Sequence, residues 1–391
     1  MHKGKYVFAQ FISVFNRYEF NKCVKRYNGN KHVRHFSCWN QFVQMVFGQL
    51  TARNGLRDIY TCLNAHSDKL YHLGIQRLVH FSALSRANKH RDWRIFADYG
   101  YYLIQLVKPL YSNEPLDKTL SDELRIFAID STTISTSLTL CSWAHGKYSK
   151  GAVKAHTLLN LRGSIPEFIL ITDGKYHDVN ALDKITFEKF AFYVMDKDYI
   201  DFKRLYRMEK ANVFFVVRAK KNLKFSVVKS HKIDKAIGLK CDQHIRLTGI
   251  KSKTYYPDKL RRIKYFDAKK EITLVFLTNN FELAPLEIAQ IYKSRWQIEV
   301  FFKWIKQNLQ FKTLWGYSEN AVKTHLWIAI CVYLAVGYLK KQLKSELSIY
   351  EIMQILGISI LDKTPVNQML TGFKNKNNVK EQYNLFNIND L

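Results

Sequence analysis

The sequence has few acidic residues for its length. Its 391 residues include 33 Asp and Glu against 61 Lys and Arg, so the formal net charge is +28. A protein with so much self-repulsion usually binds a polyanion; nucleic acid is the first candidate, and an anionic membrane surface or a ribosomal neighbour is the alternative. Net positive charge is concentrated in residues 1–120 and 218–270. Two separate cationic surfaces are therefore expected to bind a phosphate backbone.

Cysteine is also scarce, and none of the six cysteines belongs to a Cys-x-x-Cys pair. This spacing argues against a zinc ribbon, and isolated thiols are typical of a reducing cytosol. The N-terminus lacks an apolar run that ends at a small-residue cleavage site. The most apolar stretch, 326–339, is too short to span a bilayer and is expected to be a buried helix. We therefore expect a cytoplasmic protein that is not bound to a membrane.

Residues 1–118 are predicted to form an all-helical DNA-binding domain. Ser82 is a suitable N-cap, and Arg86 and Lys89 follow on the next helix. A helix-turn-helix places such a basic helix in a major groove, and a solvated charged face is the alternative. Arg86 and Lys89 are accordingly candidate DNA contacts.

After a proline-containing linker near residues 110–119, the pattern changes from helical to β. Apolar runs predict strands at 124–130, 152–161, 166–174, 191–196 and 212–219, with helices at 179–189 and 201–211. This β-β-β-α-β-α-β order predicts an α/β fold with an RNase H-like mixed sheet.

The predicted catalytic domain covers residues 119–340 and contains an insertion. Residues 220–270 are basic, have short β-like runs and are predicted to form a β-rich inserted subdomain. A further strand and a long helix from Pro285 to about Leu309 follow. Residues 341–391 are predicted to be a C-terminal helical segment and tail.

Two predicted strands end in an aspartate. Asp130 ends the apolar run LRIFAID, and Asp196 ends AFYVMD. Carboxylates at strand ends of an α/β sheet face a crevice, where sites are built. Each residue taken alone could instead be a turn or N-cap residue. His145, His156 and His177 fit no compact zinc motif and are expected to be structural.

The helix predicted after Pro285 carries a carboxylate among cations on one face. At about 100° per residue, Tyr292, Arg295, Glu299 and Lys306 fall within roughly 60° of one another, and Lys303 shares their face. The rest of the helix is mostly apolar. Glu299 is therefore predicted to be a metal ligand beside groups that hold phosphate; an ordinary ion-pair stripe is the alternative.

Trp296 follows Arg295 on the same helix. An aromatic ring at this position can stack on a base extruded at a cut DNA end, because stacking tolerates any base. Packing in the core is the alternative role.

The residues at 292, 295, 299 and 306 match the Tyr-x2-Arg-x3-Glu-x6-Lys signature of the insertion sequence four family of bacterial transposases. FAIDSTTIS, VMDKDYIDF and the long segment from GAVKAH to GKYHDV also resemble that family, and the resemblance covers most of residues 35–340. It implies a DNA transposase on an RNase H-like fold, with Asp130, Asp196 and Glu299 as catalytic residues.

The same resemblance implies a cofactor and partners. The trio would bind two Mg2+ ions, with Mn2+ as a substitute; Asp130 would bridge them, and Asp196 and Glu299 would each complete one. Arg295, Lys306 and Tyr292 would hold DNA phosphates. The partners would be double-stranded DNA, as terminal inverted repeats and target, and a second copy in a synaptic homodimer. The expected location is the nucleoid of a bacterial cell.

One position departs from the family pattern. Many relatives carry Gly two residues after the second aspartate, where this chain has Asp198, so Asp198 and Asp201 are alternative ligands. Two other functions also fit the sequence. They are an RNase H-like nuclease that recognises DNA structure, and a catalytically inactive DNA-binding protein derived from a transposase.

Overall fold

The computed structural model describes residues 4–116, 119–146, 150–311 and 313–371. By their contacts the residues form two units. We call Met1–Leu110 with Trp304–Leu391 the helical unit and Tyr111–Lys303 the sheet unit.

The secondary-structure elements are numbered in chain order. The described α-helices are α1 (Val7–Ile12), α2 (Arg17–Arg26), α3 (Cys38–Leu50), α4 (Leu56–Asn64), α5 (Phe81–His90), α6 (Arg94–Val107), α7 (Phe202–Lys210), α8 (Ile250–Tyr255), α9 (Pro285–Ser294), α10 (Trp296–Asn308), α11 (Glu319–Gln342), α12 (Ile349–Ile358) and α13 (Val366–Thr371). The strands are β1 (Ile126–Thr136), β2 (Gly151–Asn160), β3 (Ile165–Asp173), β4 (Phe192–Met195), β5 (Phe214–Arg218), β6 (Phe225–Ser230), β7 (Leu239–Leu247), β8 (Leu260–Asp267) and β9 (Ile272–Thr278).

α11 is the central helix of the helical unit and packs against α3, α5, α6 and α12. It begins where the Ser318 hydroxyl accepts the Ala321 N–H at 3.2 Å. It is longer than the predicted stretch 326–339, and its length and apolar composition would suffice to cross a bilayer. However, 83% of its apolar window is buried inside the protein, which confirms the expectation of a buried helix.

Two details of the helical unit differ from the sequence predictions. α5 begins at Phe81, and its N-cap is His80, whose ring nitrogen accepts the Ser82 N–H. Ser82 is therefore inside the helix rather than its N-cap. The sequence prediction placed the segment that forms α11 in a catalytic domain that ends at residue 340. In the structure, the apolar sides of α11 pack on helices of the first 110 residues. Of the C-terminal segment 341–391, α12 and α13 are helical, and residues 372–391 lie outside the described part.

The sheet unit is built on one nine-stranded sheet with the order β3-β2-β1-β4-β5-β9-β8-β7-β6. β1 pairs with β4 and β4 with β5 in parallel, and the other neighbours are antiparallel. An antiparallel trio followed by parallel crossover strands is the topology of an RNase H-like core, so the predicted mixed α/β sheet is confirmed. α7 corresponds to the second predicted helix, 201–211, and lies at nearly the expected position.

The helix predicted at 179–189 is shorter and tighter than expected. Asp178–Lys184 forms a 3-10 helix, and residues 185–191 are not helical.

The segment 220–270 is β-rich, as predicted, but it is not a separate subdomain. β6, β7 and β8 continue the main sheet, because β8 pairs along the whole free edge of β9 from Arg261↔Thr278 to Asp267↔Ile272. Arg261 and Asp242 form a buried ion pair at 2.8 Å across β8 and β7. Pairing of one guanidinium with one carboxylate lets both charges stay buried in this extension of the sheet.

Candidate active site

The two aspartates predicted from strand ends lie side by side in the sheet unit. β1 and β4 run parallel, and their last paired residues are Ile129 and Met195. Asp130 and Asp196 come directly after these residues. Asp196 follows the end of β4, whereas β1 continues to Thr136, so Asp130 lies inside its strand rather than at the predicted strand end. The preceding residues are buried because they are apolar, whereas Asp130 and Asp196 are partly exposed. Two adjacent parallel strands therefore bring two carboxylates to the crevice at the carboxyl end of β4.

Glu299 reaches this crevice through Arg295. The Arg295 guanidinium donates to Asp130 Oδ2 at 2.9 Å and to Glu299 Oε1 at 2.5 Å. The guanidinium is largely buried, with a side-chain exposure of 15%, whereas Glu299 is 58% exposed. A planar guanidinium has donors on separate nitrogens, so one Arg can join a strand-borne and a helix-borne carboxylate.

The long helix predicted from Pro285 to Leu309 is interrupted at this arginine. α9 ends at Ser294 and α10 starts at Trp296. Arg295 N–H donates to the Tyr292 carbonyl, and the Arg295 carbonyl accepts from Ile298 N–H, both over three residues. Three-residue spacing is a local 3-10 turn, which changes the direction in which the following side chains project. The predicted single helical face is thus divided between two helices.

Burial and charge set the protonation of Asp130. Removal from water raises the pKa of its carboxyl to about 6. The positive charge of Arg295 opposes this shift, and the negative charges of Glu299 and Asp196 add to it. The three carboxylates therefore repel one another electrostatically, and Arg295 offsets part of that repulsion.

The donor chemistry of the crevice suits a hard divalent cation, which prefers carboxylate oxygens. Burial is the main cause of the raised pKa of Asp130 and the charges of Glu299 and Asp196 add to it, and a bound cation would favour the ionised carboxylate. Within the described ranges, however, no group of three His, Cys, Asp or Glu side chains is close enough to enclose a metal ion. The carboxylates fit the ligand type, and Arg295 lies between two of them.

The two alternative acids near Asp196 have different surroundings. Asp196 caps the 3-10 helix Lys197–Tyr199 by accepting the Lys197 N–H at 2.7 Å. Asp198 is exposed to solvent. Asp201 is the N-cap of α7 and also pairs with Arg204 at 3.0 Å. Asp201 thus has a structural role, while Asp196 directly follows the buried strand.

The other predicted DNA contacts differ in their surroundings. Tyr292 is buried, with its ring 4.6 Å from that of Phe276, so it lies in the core next to Arg295 rather than on the surface. Trp296 is 52% exposed, and Lys303 is exposed as well. The remaining three are residues of the helical unit: Arg86 and Lys89 are exposed on α5, and Lys306 is on α10.

A polar network that the sequence predictions missed lies on the other face of β1. Ser131 N–H donates to Asp130 Oδ1 at 2.8 Å, while the Ser131 hydroxyl donates to Asp178 Oδ1 at 2.7 Å. Lys154 Nζ lies 3.2 Å from the same carboxylate, and His156 Nδ1 lies 3.4 Å from it. The network therefore anchors the residue that holds the Asp130 carboxyl.

The strand register explains this network. Ser131 is paired with His156 across β1 and β2, and Thr133 with Lys154, so all four side chains share one face. Burial lowers the pKa of His156 to about 4, so the ring is neutral at pH 7. The sequence carries a signal for this network, which is the pair Lys154 and His156 at alternate positions of the apolar strand β2. Two polar residues on one face of such a strand indicate polar partners on the neighbouring element.

An RNase H-like sheet with carboxylates side by side on the adjacent parallel strands β1 and β4 defines the class of this protein. Residues 121–335 match the Transposase DDE domain family, and residues 3–76 match a domain of unknown function, DUF4372. The first match covers more than half of the chain. The chain therefore belongs to the DDE transposase family of insertion sequences, whose domain implies dependence on a divalent metal ion.

Three relatives carry transposase names. The protein y4zB of Sinorhizobium fredii is 34% identical over 209 residues, 52% of this chain and 58% of its own length. The transposase of insertion sequence element IS5377 of Geobacillus stearothermophilus is 28% identical over 56% of this chain and 58% of its own. That of element IS4SA of Synechocystis is 30% identical over 67% and 72%. The chain thus spans less than two thirds of the first two relatives.

A solved structure of the piggyBac transposase synaptic complex with hairpin DNA is similar over 94% of this chain and 82% of that one. The TM-score is 0.43 and the identity 10%, which is too low to support an inference.

Proposed function

We propose that this protein is a Mg2+-dependent DNA transposase that cleaves double-stranded DNA at the ends of its element and joins the 3′ ends to a target. The observation that carries the proposal is the joining of Asp130 and Glu299 by Arg295 beside Asp196. These residues lie within the span that matches the DDE domain.

Asp130, Asp196 and Glu299 would hold two Mg2+ ions, with Mn2+ as a substitute and Asp130 as the shared ligand. When bound, Mg2+ would activate the attacking oxygen and stabilise the leaving oxygen. Asp130 is suited to the shared position because it is more enclosed than Glu299, and burial raises the pKa of its carboxyl. A cation favours the ionised form of such a group.

Arg295 would balance the negative charge of the carboxylates and of the DNA phosphate. Its guanidinium already neutralises two carboxylates, and a guanidinium binds phosphate oxygens equally well. Tyr292 would act indirectly, because its buried ring packs near Arg295 and fixes the turn between α9 and α10. Exposed Trp296 and Lys303 would contact DNA beside the cut, by stacking and charge respectively.

The proposed DNA partners are the terminal inverted repeats of the element and the target duplex. Arg86 and Lys89 on α5 and Lys306 on α10 would contribute further backbone contacts. Two ends must meet before strand transfer, so a homodimer in the synaptic complex is proposed as the active form. Its place of action would be the bacterial nucleoid.

The test is DNA cleavage by the full chain with matched variants. Glu299→Gln and Asp196→Asn should each lower Mg2+-dependent cleavage at the element end by at least about 100-fold, which is typical of losing a group that stabilises transition-state charge. Asp198→Asn is the matched control, because it removes an exposed acid two residues from Asp196, and it should retain activity. Equal activity of Glu299→Gln and the unmodified protein would overturn the proposal.

The choice of DNA separates the proposed function from its first alternative. A transposase should cleave only duplexes that carry the terminal repeats, whereas a structure-specific nuclease should cleave branched junctions of any sequence. The second alternative, an inactive DNA-binding protein, requires that the carboxylates have no effect on any reaction. Repeat-specific binding without cleavage in Mg2+ or Mn2+ would support that alternative.

A further inference from the structure

A basic groove runs beside α2 in the helical unit. Its volume is about 710 Å³. It is bordered by α2, by the connection that follows α2 and by the start of α3. The lining residues are Arg17, Tyr18, Asn21, Lys22, Val24, Lys25, Asn28, Asn30, Lys31, Ser37 and Trp39. None of these residues was assigned a function by the sequence motifs or belongs to the crevice around Asp130.

Most of the positive charge of this groove is uncompensated. Residues 17–35 contain six Lys and Arg and one Glu. Lys22 pairs with that glutamate, Glu19, at 2.8 Å. In the part of the chain that the structure describes, Arg17, Lys25 and Lys31 form no ion pair, and all three are exposed. Folding therefore leaves three free cations around one concave surface.

Aromatic rings and amides accompany these cations. The Tyr18 ring is 68% exposed, and Lys22 Nζ lies 4.5 Å from its centre. Arg17 stands over the Trp39 ring at 5.7 Å. A cation held over an aromatic face keeps its charge directed into the groove. The amides of Asn21 and Asn28 add neutral hydrogen-bonding groups to the lining.

Hydrogen bonds and a buried side chain hold the residues that form this groove in place. The Asn16 side chain caps α2 by accepting the Tyr18 N–H at 3.0 Å. The Asn30 side chain accepts the Cys38 N–H at 2.8 Å and so ties the connection after α2 to the start of α3. Phe20 is fully buried on the opposite side of α2. A surface held in this way loses little conformational entropy when a ligand binds.

We propose that this groove binds the sugar–phosphate backbone of DNA, with phosphates on Arg17, Lys25 and Lys31 and a sugar or base against Tyr18. Arg17 and Lys25 are eight residues apart on α2, about 12 Å along the helix axis and roughly three to four base pairs of rise. This spacing suits successive phosphates of one backbone. The site is separate from the predicted contacts Arg86 and Lys89 on α5. The proposed groove site rests on the proposed function in one respect, which is that the ligand is DNA in both.

The experiment measures DNA binding by the full chain at several salt concentrations. The probes are a 30-base-pair duplex with the element end, a duplex of unrelated sequence and a single strand of the same length. The variant combines Arg17→Ala, Lys25→Ala and Lys31→Ala. The control combines Lys5→Ala, Lys344→Ala and Lys363→Ala, which removes the same formal charge at exposed positions outside the groove.

Each phosphate contact contributes about 0.9 to the slope of log K against log salt on B-form DNA. The groove variant should therefore have a slope shallower by about 2.7 on both duplexes, and the control should change it by much less. Equal loss on both duplexes is expected because phosphate contacts carry no sequence information. Equal slopes for groove variant and control on duplex DNA would overturn the proposal, as would a loss confined to the single strand.

Tyr18 provides a second readout that does not depend on charge. Tyr18→Ala should weaken binding by at least about fivefold, and Tyr18→Phe should retain the affinity of the unmodified protein if the ring itself makes the contact. An unchanged Tyr18→Ala affinity would remove the ring from the proposed site. Thermal unfolding of each variant checks that the helical unit is intact.

The outcomes for the two proposals are distinguishable. If Glu299→Gln abolishes cleavage while the groove variant binds all DNAs normally, only the groove is wrong. If the groove variant loses duplex binding while Glu299→Gln cleaves normally, the groove stands and the proposed catalytic residues do not.

Discussion

At the scale of single residues, Arg295 determines how the candidate site is assembled. It lies between α9 and α10. Its guanidinium joins carboxylates that are 169 positions apart in the chain, at 130 and 299. Its charge opposes the desolvation that raises the pKa of Asp130. A single point charge would not reproduce these contacts, since the two carboxylates accept from different nitrogens of one planar guanidinium.

Arg295→Lys tests this geometry while keeping the charge. The ammonium lacks the planar fork of the guanidinium, so Glu299 and Asp130 would no longer be held in the same arrangement. We expect cleavage to fall by about 100-fold or more, with little change in DNA affinity. Single-turnover cleavage and equilibrium binding measure the two quantities separately. A loss of binding as large as the loss of cleavage would contradict the positioning role.

Asp178→Asn tests the network behind Asp130. Lys154 would lose its carboxylate partner in a mostly buried place, so we expect the free energy of unfolding to fall by about 1–3 kcal/mol. Asp258→Asn is a suitable control, because Asp258 pairs with Lys210 on the surface and should change stability by about 1 kcal/mol or less. Denaturant unfolding gives both values.

A double-mutant cycle shows whether this network acts through Ser131. The Ser131 hydroxyl donates to Asp178, so Ser131→Ala and Asp178→Asn should be non-additive. Additive losses in unfolding free energy would mean that the two side chains act independently.

At the scale of secondary-structure elements, α11 illustrates how a long apolar helix is kept inside a protein. His325 lies on its buried side, stacked on Trp315 with ring centres 4.3 Å apart. Complete burial lowers the pKa of His325 to about 3. The imidazole of His325 is therefore neutral in the folded protein, whereas the same imidazole in the unfolded chain has a pKa near 6.5.

His325 should make stability depend on pH in a defined window. Since the folded pKa is lower than the unfolded one, the contribution is complete above pH 6.5 and is lost progressively as the pH falls toward 3. At pH 5.5 the loss from this one group is about 1.4 kcal/mol. The difference in unfolding free energy between pH 7.5 and 5.5 should be smaller by that amount in His325→Phe. An identical pH dependence of both proteins would contradict the assignment.

At the scale of the whole molecule, the helical unit is discontinuous in sequence and the sheet unit is continuous. All nine strands of the sheet come from Tyr111–Lys303, and so does the core around Tyr193, Met195 and Phe215. The helical unit, in contrast, depends on α11 from the other end of the chain.

Two fragments should consequently behave differently. Residues 111–303 should unfold cooperatively, because they contain a complete sheet and its core. Residues 1–110 should not, because α3, α5 and α6 would expose the apolar surfaces that α11 covers. Thermal unfolding followed by circular dichroism distinguishes the two. A cooperative transition in the shorter fragment would show that α11 is dispensable for this unit.

Local sequence patterns were enough to predict where the strands and most helices lie. Apolar alternation and helical periodicity depend on neighbours a few positions apart, so β4 and α7 were predicted near their observed bounds. The predicted end of β1 at Asp130 was wrong, because the polar residues from Ser131 to Thr136 continue the strand by pairing with β2. The spacing of Tyr292, Arg295 and Glu299 likewise carried the family resemblance without any structure. The excess of Lys and Arg indicated a polyanionic partner, because charge is a property of composition.

Long-range pairing and burial are not encoded in such patterns. Only the folded chain brings Arg295 between Asp130 and Glu299, turns Ser131 toward Asp178, and continues the sheet through β6, β7 and β8. The same holds for α2, whose cations are an ordinary charged run in the sequence. Their number follows from composition, but which of them lack a carboxylate partner depends on what packs beside them in three dimensions.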